Sequence, residues 1–340
     1  MNQKIHTTDV TIIGAGPVGL FTIFQCGMLK LKCHVIDTLE MVGGQCAALY
    51  PEKPIYDIPG FPQIQAADLI ENLKKQAEPF NPTYHLGEQV IKVTKVADRF
   101  EIETDQNTKI NAGVIIIAAG VGAFGPNKPP IDGLEEYEKS GAVQYFIKSK
   151  NDFAGKKVVI AGGGDSALDW VLSLQGIASK IYVVHRRPKF RGAPDTIDKV
   201  HQLADAGLID LVIPYQLDSL IGCNGVLDSV VVKTLEGQER LLQADVLLPF
   251  YGLAMNLGPI ADWGLNLDHN HITINQETAE TNIPGIFAVG DIARYNNKLK
   301  LILCGFAESA QAAHTARNRL HPNEVFHFEY STTQGVPGAK

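Results

Sequence analysis

Two glycine-rich turns carry the first legible chemistry. Gly14-Ala15-Gly16-Pro17-Val18-Gly19 follows the apolar run Val10–Ile13, and Gly162-Gly163-Gly164-Asp165-Ser166-Ala167 follows Lys157–Ala161. An apolar segment of helical length comes after each, to about Leu29 and through Leu174. A glycine turn alone also serves tight strand–helix packing. Between a strand and a helix, however, it lets the backbone approach a pyrophosphate. The helix start adds free N–H groups and the positive end of a dipole. Both turns therefore read as dinucleotide sites, with Gly14, Gly16, Pro17 and Gly19 in the first and Gly162, Gly164, Asp165 and Ser166 in the second. Ala167 takes the third glycine's place in the second copy, an accepted variant.

The residue that closes the following strand decides which nucleotide fits. Cys33-His34-Val35-Ile36 ends in Asp37, whose carboxylate can bind both ribose hydroxyls of an adenosine. The same count that leads from Gly19 to Asp37 leads from Ala167 to His185, followed by Arg186 and Arg187. An acid there would repel a 2′-phosphate, whereas guanidiniums offer it bidentate, charge-assisted bonds. The first site wants free hydroxyls and the second wants NADP(H), with Arg191 one loop further on joining the clamp. An arginine pair is often only a solvated face, but these two stand at a strand end. Two dinucleotides on one chain suggest an electron relay, although these residues do not say which nucleotide fills the first site.

The elements that must hold these residues repeat. Strand, glycine turn, helix and strand open both halves, an internal duplication of a whole domain. A helix is expected from Ala66 to Glu78, strands near Gln89–Val96 and Arg99–Thr104, and a buried strand across 113–120. Residues 41–63, rich in Gly, Pro and aromatics, read as a long ordered loop, and residues 121–130 as a linker. A strand near Val246–Pro249 closes the second copy, Ile283–Asp291 forms a third strand ending in Gly290-Asp291, and a last helix spans about Gly305 to Leu320. The tail from Val325 to Tyr330 alternates as a strand would.

Composition narrows the function. The 340 residues are 45% hydrophobic and 20% charged, enough for full-sized cores and against disorder. A net charge of −7 argues against a general nucleic-acid binder. Val10–Leu29 is uncharged, but Gly14, Gly16, Pro17 and Gly19 make it a poor membrane span. Five cysteines, an odd number, form no disulfide framework and fit a reducing cytoplasmic compartment. No Cys or His group has metal-site spacing.

Taken in order, the Gly14–Gly19 turn with Asp37, the Ala118-Ala119-Gly120 strand end, the Gly162–Ala167 turn with His185-Arg186-Arg187, and Gly285–Asp291 resemble the two-dinucleotide-binding flavoproteins. Their spacing is most similar to the thioredoxin-reductase-like type, over nearly the whole chain. That resemblance implies FAD in the first domain. Thioredoxin reductases carry Cys-x-x-Cys before the second glycine turn, where this chain has Tyr145-Phe146-Ile147-Lys148. Glutathione-reductase-type enzymes carry Cys-x4-Cys after Gly-Gly, where Cys46 faces Pro51. A disulfide relay needs two sulfurs within reach, so Cys46 reads as a packed small hydrophobe.

What remains is a flavin reductase of this fold without a disulfide, and the subgroup it most resembles is ferredoxin–NADP reductase of this type, which has a C-terminal extension like residues 321–340. The resemblance implies FAD contacts at Asp37, Gln45, Tyr50, Val90, Phe124, Asp291 and Thr332, with Tyr50 and Tyr330 on opposite flavin faces. Tyr50 and Phe124 also fit as ordinary core aromatics. The expected architecture is α/β, with two Rossmann-like three-layer dinucleotide-binding domains. The NADPH domain, 120–280, is inserted into a discontinuous FAD domain, 1–119 and 281–340. The expected activity passes electrons between NADPH and a ferredoxin or flavodoxin through FAD, with no redox disulfide, no metal, no catalytic side chain and a homodimeric state. Two other functions keep the fold: reduction of a thioredoxin-like protein, quinone or oxygen, and redox sensing without turnover.

Overall fold

The computed structural model describes residues 5–324 and 335–336, and only the backbone of 123–124 and 253–255. The expectations for Tyr330, Thr332 and the Phe124 side chain fall outside what is described. The chain divides into two compact units, one built from residues up to Phe124 and from Met255 onward, the other from Gly125 to Ala254.

The first unit begins β1 (Ile5–Ile13), α1 (Pro17–Met28) and β2 (Cys33–Asp37). Pro17 opens α1, where its fixed φ suits a helix and its missing N–H costs nothing. The turn before it needs glycine. Gly14 has φ +109°, and a Cβ there would lie 2.4 Å from the Ala118 carbonyl oxygen. A Cβ on Gly19 would lie 1.9 Å from the Gly14 oxygen.

Then come α2 (Gly44–Ala48), α3 (Ala66–Ala77), β3 (Thr83–Leu86), β4 (Val90–Val96), β5 (Arg99–Thr104) and β6 (Lys109–Ile117). In α3 the buried residues Ala66, Leu69, Ile70, Leu73 and Ala77 follow helical spacing, so one face meets the core. The strand order is β3-β2-β1-β6-β5-β4. β1 lies parallel to β2 and β6, and Val114–Ile117 are fully buried, as central parallel strands must be. The segment 41–63 is not simply a loop: besides α2, Pro54–Ile55 pairs with Ile64–Gln65.

The second unit holds β7 (Lys157–Ala161), α4 (Asp165–Leu174), β8 (Lys180–Val184), α5 (Pro194–Asp205), β9 (Asp210–Val212) and β10 (Val246–Pro249). Its parallel sheet runs β9-β8-β7-β10, half of a doubly wound sheet. An antiparallel sheet of Gln216–Cys223, Val226–Lys233 and Glu239–Gln243 packs Leu227, Val230, Val232 and Leu242 into the same core. The sequence reading did not foresee that sheet.

The return to the first unit comes at Met255, not at 281 as the sequence suggested. Leu257, Ile260, Leu265, Ile272, Ile274 and Ala279 belong to the first unit's core. The strand pair Leu267–Asp268 and His271–Thr273 joins Ala293–Arg294, also in that unit. At the outgoing crossing, the expected linker 121–130 contains Ala123–Pro126, which pairs with Leu253–Asn256.

The chain ends with β11 (Ile286–Ala288) and α6 (Ile302–Leu320), one turn longer than expected. β11 pairs in parallel with Ile115–Ile117 of β6, while β5 pairs antiparallel with Lys109–Ala112. One edge of β6 thus serves two partners. Among the described residues, no helix is long and apolar enough to cross a membrane.

Candidate functional site

The first unit holds an open cleft of about 1150 Å³, counting its solvent-filled mouth. Its walls gather Gly14, Gly16, Pro17, Asp37, Gln45, Tyr50, Val90 and Asp291, drawn from five separate stretches of chain. Gly19 lies beneath, where its missing Cβ admits the turn.

The start of α1 lines this cleft. Gly16 caps the helix without a side-chain hydrogen bond, and the first turn holds no acid. Free N–H groups and the dipole therefore meet whatever enters. Asp37 stands beside them at the end of β2. Its Oδ2 accepts the Ala15 N–H at 2.6 Å and its Oδ1 the Leu39 N–H at 2.8 Å. Burial pushes its pKa up, and those two backbone bonds oppose the rise. A carboxylate offers about four lone-pair sites, so two remain for ligand hydroxyls.

At another part of the wall, Cys46, Tyr50 and Asp291 are electrostatic neighbours. Burial pushes the Cys46 thiol up to about 11, and Asp291 adds to the rise. Burial also pushes the Tyr50 phenol well up, again with help from Cys46 and Asp291. Cys46 Sγ lies 3.8 Å from Tyr50 Oη. At neutral pH the thiol stays protonated, a poor nucleophile.

Sequence reasoning missed part of the cleft. Leu257, Pro259, Ile260 and Trp263 line it, because the chain re-enters this unit at Met255. Glu88 and Gln89 line it too. The Glu88 N–H donates to the Asp37 carbonyl at 3.1 Å, and Thr104 Oγ1 donates to Glu88 Oε2 at 2.6 Å. Their place just before β4, at the sheet end where Asp37 stands, was the available signal.

In the second unit, the Gly162 N–H donates to the Val184 carbonyl at 3.0 Å, tying the glycine turn to the end of β8. The segment after β8 folds back onto that turn. The Arg191 N–H donates to the Gly163 carbonyl at 2.6 Å. The His185 ring covers Gly163, where any Cβ would lie 2.3 Å from it. Asp165 has a task the sequence did not suggest: its Oδ1 accepts the Ala193 N–H at 2.8 Å and so anchors the same loop. Arg186, Arg187 and Arg191 project from it into solvent. Burial holds the His185 pKa below its ordinary value, and Arg186 and Arg191 push it the same way. Neutral His185 thus leaves the positive charge to the guanidiniums.

The stretch that replaces a cysteine pair is also engaged. Tyr145 Oη donates to Glu138 Oε1 at 2.5 Å, and Lys128 Nζ pairs with Glu138 Oε2 at 2.7 Å. Among the described residues, no group of three or more His, Cys, Asp or Glu could hold a metal ion.

Residues 8–318 match the family described as pyridine nucleotide-disulphide oxidoreductase. The chain belongs to that family. It is 59% identical over 333 residues to a protein named ferredoxin–NADP reductase from Paramagnetospirillum magneticum, covering 98% of each chain. A protein of the same name from Rickettsia massiliae is 56% identical over 330 residues, covering 97% of this chain and 98% of the relative. Among solved structures, Lactococcus lactis thioredoxin reductase superposes with a TM-score of 0.80 at 25% identity, covering 93% of this chain and 99% of that one. Thioredoxin reductase from T. acidophilum has the same TM-score at 22% identity, over 92% of this chain and 98% of that one, a likeness of fold. Two Rossmann-like parallel sheets in one α/β chain are therefore a feature shared with these oxidoreductases.

Proposed function

We propose that this chain is an FAD-dependent ferredoxin–NADP reductase, with FAD in the first unit's cleft and NADPH on the second unit's glycine turn. The observation that carries the reading is the contrast at two equivalent strand ends. Asp37 closes β2, while His185-Arg186-Arg187 follows β8. Support for ferredoxin as the partner comes from the names of relatives 56–59% identical over almost the full length.

The cleft fits FAD. An uncapped, acid-free helix start suits a pyrophosphate, Asp37 keeps lone pairs for ribose hydroxyls, and Tyr50 supplies an aromatic ring. Bound FAD supplies the conversion between hydride transfer and single-electron transfer. The chain's own part is placement. Hydride transfer between two rings needs geometry and no protein acid or base, so we assign no catalytic side chain. Gln45, Val90 and Asp291, which line the cleft, are FAD contacts in this reading, as are Phe124, Tyr330 and Thr332 on sequence resemblance alone. Arg186, Arg187 and Arg191 bind the 2′-phosphate, on a loop that Asp165 and Gly163 hold in place. A homodimer and a cytoplasmic location complete the reading, the first by resemblance and the second from the cysteine usage.

Cys46 in the cleft wall is the one feature that could favour a thiol-dependent acceptor. A pKa raised to about 11 and a proline at position 51 weigh against it. The test is NADPH-dependent cytochrome c reduction with and without added ferredoxin. A rate that requires ferredoxin is expected. An equal rate without it, or a rate that appears only with a thioredoxin-like acceptor, overturns the assignment.

A further inference from the structure

A buried ion pair joins Lys298, in the segment between Asp291 and α6, to Glu308 of α6. Lys298 Nζ and Glu308 Oε1 are paired, and their side chains are 2% and 4% exposed. Two further groups converge on that carboxylate. The Gly290 N–H donates to Oε2 at 2.7 Å, and Tyr295 Oη donates to Oε1 at 2.8 Å. Burial and the facing carboxylate push the Tyr295 phenol well above its ordinary pKa, so it remains a donor. Lys298 Nζ also lies 5.5 Å from the centre of the Tyr295 ring.

Such a pair is not an efficient source of stability. Removing two charges from water offsets most of their attraction, and apolar residues of similar volume often do as well. Charge-assisted bonds to fixed donors do define geometry, and all of these bonds lead to one place. Gly290 has φ +76°, and a Cβ there would meet Val18 of α1 at 3.3 Å. A Cβ on Gly305 of α6 would lie 3.1 Å from the Gly290 Cα. The turn is therefore held by α1, by α6 and by the Glu308 carboxylate. The next residue, Asp291, lines the cleft, as does Ile302 at the start of α6.

We propose that Lys298 and Glu308 are positioning residues for the cofactor: their pairing fixes the Gly290–Asp291 turn and the start of α6 against the cleft, so that FAD meets preset partners at that end. The proposal rests on the FAD reading above. Glu308 is the acceptor that orients the Gly290 N–H, and Lys298 holds that carboxylate in place. Removing one charge leaves the other buried and unpaired, and the turn must shift to solvate it.

The test uses the full chain as Glu308→Gln, Lys298→Met and the double variant. The readouts are FAD titration of the apoprotein, visible circular dichroism of the bound flavin, and apoprotein melting. Each single variant should bind FAD about tenfold more weakly or worse, with an altered flavin signal. The double variant, neutral but still offering an acceptor to Gly290, should recover most of both. Single variants that melt earlier yet keep native affinity and native flavin signal would reduce the pair to a structural role and overturn the proposal. Where a single variant fails to fold, Tyr295→Phe takes its place. It removes one hydroxyl from the same carboxylate and should still alter the flavin signal, and an unaltered signal and affinity there overturn the proposal equally. A native chain that binds no FAD would instead defeat the cofactor reading.

Discussion

Asp37 Oδ2 accepts the Ala15 N–H at 2.6 Å, so the end of β2 is fastened to the first glycine turn. The carboxylate that would meet a ribose is thereby held at a set distance from the helix start that would meet a pyrophosphate. Its own pKa is raised by burial, and the Leu39 and Ala15 bonds oppose that rise. One side chain therefore links the two parts of the proposed adenosine diphosphate site.

Replacing Asp37 tests that link. Asp37→Ala should weaken FAD binding by about 1.5–3 kcal/mol, the scale of one hydrogen bond to a charged group, which is roughly one to two decades in Kd. Asp37→Asn, which keeps one acceptor, should lose less. Titration of apoprotein with FAD measures both, and native affinity in Asp37→Ala would remove Asp37 from the ribose.

What was legible in the sequence was local. The Gly14–Gly19 turn, Asp37 and the parallel strands follow from short spacings that fix both backbone and neighbours. Residues whose role depends on a distant return of the chain were not legible. Trp263 lines the cleft only because the chain re-enters its first unit at Met255, and the short Gly258–Asp262 turn before it has no periodicity to announce that. Asp165 shows the same limit at short range. Its position in a glycine turn suggests a ligand contact, whereas its partner, Ala193, arrives from a loop after the next strand. Lys298 and Glu308 are an unremarkable Lys and Glu in sequence, and only the fold buries them together.

The proposed arginine clamp makes a prediction about cofactor preference. Arg186→Ala or Arg187→Ala should remove about 1.5–3 kcal/mol of NADPH binding in the transition state, or about ten- to a hundredfold in kcat/KM. NADH, which lacks the 2′-phosphate, should be nearly unaffected. Asp165→Ala should move the same ratio in the same direction by a smaller factor, because it frees the Ala193 end of the loop. Equal losses with both nucleotides would show that the clamp does not read the phosphate.

Cys46 should be dispensable for turnover. Its thiol is buried and held up to about 11, with Tyr50 Oη as its neighbour at 3.8 Å. Cys46→Ser should fold, retain flavin and reduce ferredoxin at a rate within a few-fold of native, since a thiol–disulfide step needs a second sulfur that Pro51 does not supply. Stability is a separate matter, because a buried hydroxyl replaces a small hydrophobe. A folded, flavin-loaded Cys46→Ser that passes no electrons from NADPH to any acceptor would establish a thiol relay.

The histidines at the edge of the first sheet should make the fold sensitive to mild acid. His34 is half-buried, and its Nδ1 lies 2.9 Å from His85 Nε2. The His34 ring centre is 5.3 Å from that of His6. Burial, then His85 and His6, lower its pKa from 6.5 to about 4. Burial lowers His85 as well, although Glu88 opposes that shift. Below pH 6.5 the unfolded chain takes up a proton that folded His34 refuses. Stability should therefore fall as the pH drops from 6.5 towards 4 and level off beneath. Screening at a half-exposed ring reduces the loss to about 1 kcal/mol by pH 5. His34→Gln removes the titrating group and should flatten that part of the profile. Urea unfolding of both proteins at pH 7 and pH 5 decides the matter: the native chain should lose about 1 kcal/mol more than the variant, and equal losses would mean that the acid sensitivity arises elsewhere.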